Sequence, residues 1–164
     1  MINQYLDFLQ EKWTPPVKDG ESAILFHGSP TQNLKIIDPK KSDKQRMPNE
    51  RDYGRVYASW DKRFAAMFVH NESFRGSDRN GWTVIMRYET DSLTKPCSLY
   101  SIKSIWFKPP GNNLGPEMYS KTPCKVIKEI KYKSVKECWK QNKVKFMITN
   151  TDEKFSDIKL RISL

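Results

Sequence analysis

The stretch Ile24-Leu25-Phe26-His27-Gly28-Ser29-Pro30, "ILFHGSP", decides how the chain is read. Three consecutive apolar residues predict a buried strand over 23–27. The strand then presents an imidazole, a glycine and a hydroxyl. Glycine lets another group come close to the backbone. That order suits a strand whose end opens into a ligand pocket.

Working outward, the sequence predicts a helix before this strand and a loop after it. Ile2, Tyr5, Leu6, Leu9 and Trp13 fall at helical spacing and form one apolar stripe over 2–13, stopped by Thr14-Pro15-Pro16. Residues 28–54 read as loop, with Leu34, Ile36 and Ile37 tucking a short segment against the core. "RVYAS" (55–59) reads as a short strand that runs into a helix. Ser59 is expected to cap that helix and Asp61 to sit in its first turn. Ala65, Phe68 and Val69 supply the helix's buried face, with Phe64 beside them.

Residues 70–81 read as a polar turn region, and 82–89 as a strand with Val84, Met86 and Tyr88 on one side. "CSLYSI" (97–102) and "SIWF" (104–107) read as two short strands, and 108–117 as a loop. "CKVIKEIKY" (124–132) alternates as a strand should. Ser134 and Glu137 have capping-box spacing. "VKFMIT" (144–149) is another strand, and 150–164 a tail or edge strand. The expectation is one α+β domain over 1–164 with much antiparallel sheet.

Composition narrows the function. The chain has 164 residues, of which 37% are hydrophobic and 12% aromatic, enough for a packed core, and 29% are charged. No apolar run approaches the roughly 18–20 residues that span a bilayer. Polar and acidic residues interrupt "MINQYLDFLQEKW", so no signal peptide is expected there. Cys97, Cys124 and Cys138 are odd in number and widely spaced, which suits free thiols in a cytoplasmic protein. A net charge of +10 favours polyanions such as nucleic acid. There is no G-x-G-x-x-G, no Walker A loop, no G-x-S-x-G elbow and no metal-ligand cluster.

Three spaced pieces remain. They are Phe26-His27-Gly28-Ser29 at one strand end, Val56-Tyr57-Ala58-Ser59 at another, and Glu117 before a late strand. Together they resemble the histidine–tyrosine–glutamate class of the ADP-ribosyltransferase fold, which includes diphtheria-toxin-like and poly(ADP-ribose)-polymerase-like enzymes and small bacterial or phage relatives. The resemblance covers roughly 22–150. It implies split antiparallel β-sheets with flanking helices around an NAD cleft. It also implies an NAD-dependent mono-ADP-ribosyltransferase, with NAD as substrate, no metal, no membrane, and a macromolecular acceptor, nucleic acid or protein.

In that family's terms, Glu117 would hold the ribose, Tyr57 would stack on the nicotinamide, and His27 would bond a ribose hydroxyl. The backbone of Gly28 would bind the nicotinamide amide. Ser29, Ser59 and Phe68 complete the expected cofactor-binding set. Glu89 is the competing carboxylate, and Glu129 lies inside the lysine-rich strand. A related fold, the RNA 2′-phosphotransferases, relies on a histidine with several arginines, for which Arg46, Arg51, Arg55 and Arg63 are candidates. A third reading is an inactive, basic nucleic-acid-binding module of the same fold.

Overall fold

The apolar run at 24–26 lies inside a nine-residue strand, β1 (Glu21–Ser29), longer at both ends than its apolar residues suggest. A computed structural model describes residues 14–41, 54–70, 76–78, 83–86, 89–109 and 115–148. The expected helix over 2–13 and the tail over 150–164 lie outside these residues, as do Arg46, Arg51 and Tyr88.

β1 is central in a six-stranded sheet. Its other members are β2 (Ile36–Ile37), β3 (Val56–Ser59), β6 (Cys97–Trp106), β7 (Glu117–Ser120) and β8 (Cys124–Tyr132). The order is β2-β8-β6-β1-β3-β7, and every neighbouring pair is antiparallel. β1 pairs with β6 along its whole length, from Glu21↔Trp106 to Ser29↔Ser98. With β3 it shares one register pair, Phe26↔Ser59.

The sheet curls until β7 meets the far end of β6. Phe107 and Tyr119 exchange two backbone hydrogen bonds of 2.9 Å, and the hydroxyls of Ser104 and Ser120 lie 2.7 Å apart. The inside of the curl holds one core, with Leu25, Val56, Ala58, Tyr100, Ile102, Trp106, Met118 and Cys124. Trp106 is fully buried, and its indole N–H donates to the Ala23 carbonyl at 2.9 Å, so its one polar atom is satisfied.

A second core lies between the sheet, two short helices and a smaller sheet. The helices are α1 (Lys62–Ala66) and α2 (Val135–Gln141). The smaller sheet is β4 (Gly76–Asp78), β5 (Thr83–Met86) and β9 (Lys145–Ile148). Val84, Met86, Leu93, Leu99, Val135 and Trp139 are buried here, and the Trp139 indole donates to Ala66 O at 2.8 Å. β5 and β9 run parallel, an exception to the antiparallel rule of the rest.

Several details correct the sequence reading. "CSLYSI" and "SIWF" are one ten-residue strand, β6; Lys103 is an exposed residue within it, not a break. β4 lies in the expected polar turn at 70–81. Ser59 does not cap α1. Asp61 is the cap, its carboxylate accepting from the Arg63 N–H at 2.9 Å. Ser134 does cap α2, accepting from the Glu137 N–H, but Glu137 bonds the Lys133 N–H rather than closing the box on Ser134. In β8, a register shift opposite Ser101/Ile102 lets Val126 turn inward while Lys125 and Lys128 stay exposed. The expected α+β class, mostly antiparallel, is what the fold has.

Candidate functional site

The expected site residues sit on three adjacent strands. His27 lies two residues before the end of β1, Tyr57 and Ser59 are in β3, and Glu117 opens β7. Glu117 is the register partner of Ser59, and Tyr119 of Tyr57. Side chains two apart on a strand share a face. Tyr57, Ser59, Glu117 and Tyr119 therefore occupy one face of the β3–β7 ribbon, opposite Ala58 and Met118 in the inner core.

β1 meets this ribbon only at Phe26↔Ser59. Beyond that pair an imidazole replaces the ladder. His27 Nδ1 lies 2.7 Å from the Tyr57 carbonyl oxygen. A carbonyl only accepts, so Nδ1 carries a proton in this bond. His27 follows Leu25 by two residues and shares its side of β1. Its link to Tyr57 thus runs through backbone. The structure gathers His27, Tyr57, Ser59 and Glu117 on neighbouring strands, but the imidazole and the phenol leave from opposite sides of the sheet at its one joint.

Ser59 orders the approach to Glu117. Its buried hydroxyl donates to the carbonyl of Pro116 at 2.5 Å and accepts from the Asp61 N–H at 2.9 Å. One side chain thereby ties the residue before Glu117 to the turn before α1.

Gly28 was expected to admit a ligand, but α1 fills that space. A Cβ there would lie 2.2 Å from the Ala65 carbonyl oxygen and 3.0 Å from Val69 Cγ1. Ser29 is buried, and its hydroxyl accepts from the Thr31 N–H at 3.1 Å, shaping the turn after β1. Phe68 is half-buried and packs on Phe64, with ring centroids 5.2 Å apart.

The two other carboxylates lie elsewhere. Glu89 is exposed and pairs with Lys136 of α2 at 2.8 Å. Glu129 has a structural task that sequence spacing did not reveal. Its Oε1 accepts from the Asn33 N–H at 2.9 Å and the Ser98 hydroxyl at 2.7 Å. The Tyr100 phenol lies 3.2 Å away but donates to the Thr31 carbonyl at the shorter 2.6 Å. This clamp fixes the segment that follows His27-Gly28-Ser29.

Burial pushes the Glu129 carboxyl up. The bond from Asn33, the Ser98 and Tyr100 hydroxyls and the charge of Lys131 outweigh it, and the carboxyl ends below its ordinary value. A depressed folded-state pKa stabilises the fold above the unfolded value of about 4.3, and that stabilisation fades as pH falls through the folded value. Glu129→Gln is therefore expected to lower stability at pH 7 by about 1–2 kcal/mol. It should also flatten the loss of stability in acid. Urea unfolding from pH 7 down to pH 3 checks both effects.

Burial also raises the Cys124 thiol. Cys138 is raised by its contact with Cys97 first, and then by burial. All three cysteines are buried and free, none next to His27 in register. An open depression lined by Pro16, Val17 and Lys108 lies at the Glu21 end of β1, about 20 Å of strand from His27. Among the described residues no helix is long and apolar enough to cross a membrane. No family model, curated protein or solved structure matches this chain.

Proposed function

We propose that this chain is an NAD-dependent mono-ADP-ribosyltransferase that passes ADP-ribose to a macromolecular acceptor and releases nicotinamide. One observation carries the proposal: β1, β3 and β7 are consecutive in the sheet, with Glu117 beside Ser59. Three motifs distant in sequence thus end on neighbouring strands, in the combination that the histidine–tyrosine–glutamate resemblance implies. The single pair between β1 and β3 supports the finer reading of two sheets split around a dinucleotide cleft.

In this reading the bond between ribose C1′ and nicotinamide breaks, its electron pair leaving with nicotinamide. Positive charge builds on the sugar, and the Glu117 carboxylate, bonded to a ribose hydroxyl, stabilises it. The Tyr57 ring stacks on the nicotinamide. His27 holds the Tyr57 backbone in place through its bond to the carbonyl, and Gly28 lets α1 seat against β1. The acceptor then bonds to C1′ and loses its proton. Ser59 positions Glu117 through Pro116. Ser29 and Phe68 complete the proposed pocket. Three buried thiols suit a reducing compartment, and the cytoplasm is the proposed location.

The RNA 2′-phosphotransferase reading keeps one observation in its favour. Arg55 lies on β3's side of the joint, 3.4 Å from the Tyr57 hydroxyl. Arg63 instead pairs with Asp61 at 3.7 Å.

Calorimetry with NAD, coupled to chromatographic detection of nicotinamide, tests the proposal. Saturable binding with nicotinamide release is the expected result. Absence of both overturns it.

A further inference from the structure

The outer face of the β3–β7 ribbon carries a row of aromatic rings, of which the NAD reading uses Tyr57 alone. Phe107, Tyr119 and Tyr57 are register neighbours across three strands, with ring centroids 5.9 and 6.2 Å apart. All three residues are half-buried. The Arg55 guanidinium carbon lies 4.3 Å from the Tyr119 ring centroid. Cross-strand ring pairs stabilise a sheet. A guanidinium laid on an outward-facing row adds a cation where bases could stack.

Lysines flank the row. Lys103 precedes Phe107 by four residues on β6 and so shares its face; it is exposed, and its register partner Lys125 is exposed as well. Glu117, two residues before Tyr119, and Asp19, whose carboxylate accepts from the Lys108 N–H beside Phe107, are opposing charges. The whole chain carries +10.

We infer that this row binds single-stranded nucleic acid, with bases stacked on Tyr119 and Phe107 and the backbone held by Arg55 and the lysines beyond. Every base has a π-face, and arginine adds a cation–π contribution, so such a platform is tolerant of sequence. Duplex DNA hides its base faces and gains only the salt-dependent charge attraction. The inference stands independently of the NAD reading. Where both hold, the bound strand lies two residues from Glu117 and is the acceptor.

The test is fluorescence anisotropy of a labelled twelve-nucleotide oligo-dT and of a duplex of equal length, without NAD. The wild type is expected to prefer the single strand. Tyr119→Ala should weaken single-strand binding about tenfold or more, and Tyr119→Phe should retain it. Arg55→Gln, a side chain outside both cores, keeps the test valid if Tyr119→Ala fails to fold, and should weaken binding several-fold. Equal affinity for strand and duplex, no binding by the wild type, or unchanged binding in Arg55→Gln and any folded Tyr119→Ala overturns the inference. Because NAD is absent, failure of the NAD reading is seen separately, in the nicotinamide assay.

Discussion

Gly28→Ala is expected to destabilise the protein by about 3 kcal/mol, toward the upper end of overpacking effects. The new methyl would lie 2.2 Å from the Ala65 carbonyl oxygen and 3.0 Å from Val69. The nearer atom is helix backbone, not the end of a flexible side chain, so relief requires α1 to move off β1. Ala65 and Val69 are buried in the core that also holds Trp139, so this movement disturbs more than one contact. For a chain of this size the midpoint of thermal unfolding should fall by about 6–12 °C. Thermal denaturation followed by circular dichroism measures it. A midpoint within a degree of wild type would mean that α1 does not seat on β1 at this distance.

Glu117→Gln should have the larger effect on chemistry. It keeps the shape of the side chain and removes its charge, while the Ser59–Pro116 bond that orders this turn stays intact. If the carboxylate stabilises positive charge developing on ribose, its loss should slow nicotinamide release about 10²–10³-fold, the range seen when one preorganised electrostatic group is removed. NAD affinity should change far less, because that charge develops in the transition state and not in bound NAD. A comparable fall in affinity and rate would instead make Glu117 a binding group.

Much of the fold could be read from residue pattern. β1, β3, β8 and α2 announce themselves through apolar runs, alternation and Ser134. What escaped was tertiary. Lys103 looked like a break because a lysine seldom continues an apolar strand, yet on the outer face of a curled sheet it stays in solvent. β4 has no apolar signature and exists through its pairing with β5. Ser59 lies where a helix cap would, but the chain takes two further residues to reach the helix, and Asp61 assumes the role.

The candidate site divides the same way. His27, Tyr57 and Glu117 were visible as residue types at strand ends, and their strands are neighbours. Sequence could not reveal that Gly28 makes room for a helix. Nor could it reveal that Glu129 holds the segment after β1, because its partners come from β6 and from residues 31–34. The aromatic row was equally hidden. Tyr57 is distant in sequence from Phe107 and Tyr119, and the three meet because β7 pairs with β3 and closes back on β6.

The central claim is that Glu117, beside Tyr57 and Ser59, acts on the NAD glycosidic bond. Nicotinamide release measured side by side for wild type, Glu117→Gln and Glu89→Gln tests it most directly. The account predicts release by the wild type, near-complete loss in Glu117→Gln, and wild-type rates in Glu89→Gln, whose carboxylate pairs with Lys136 at the surface. Full activity in Glu117→Gln, or loss confined to Glu89→Gln, would contradict it.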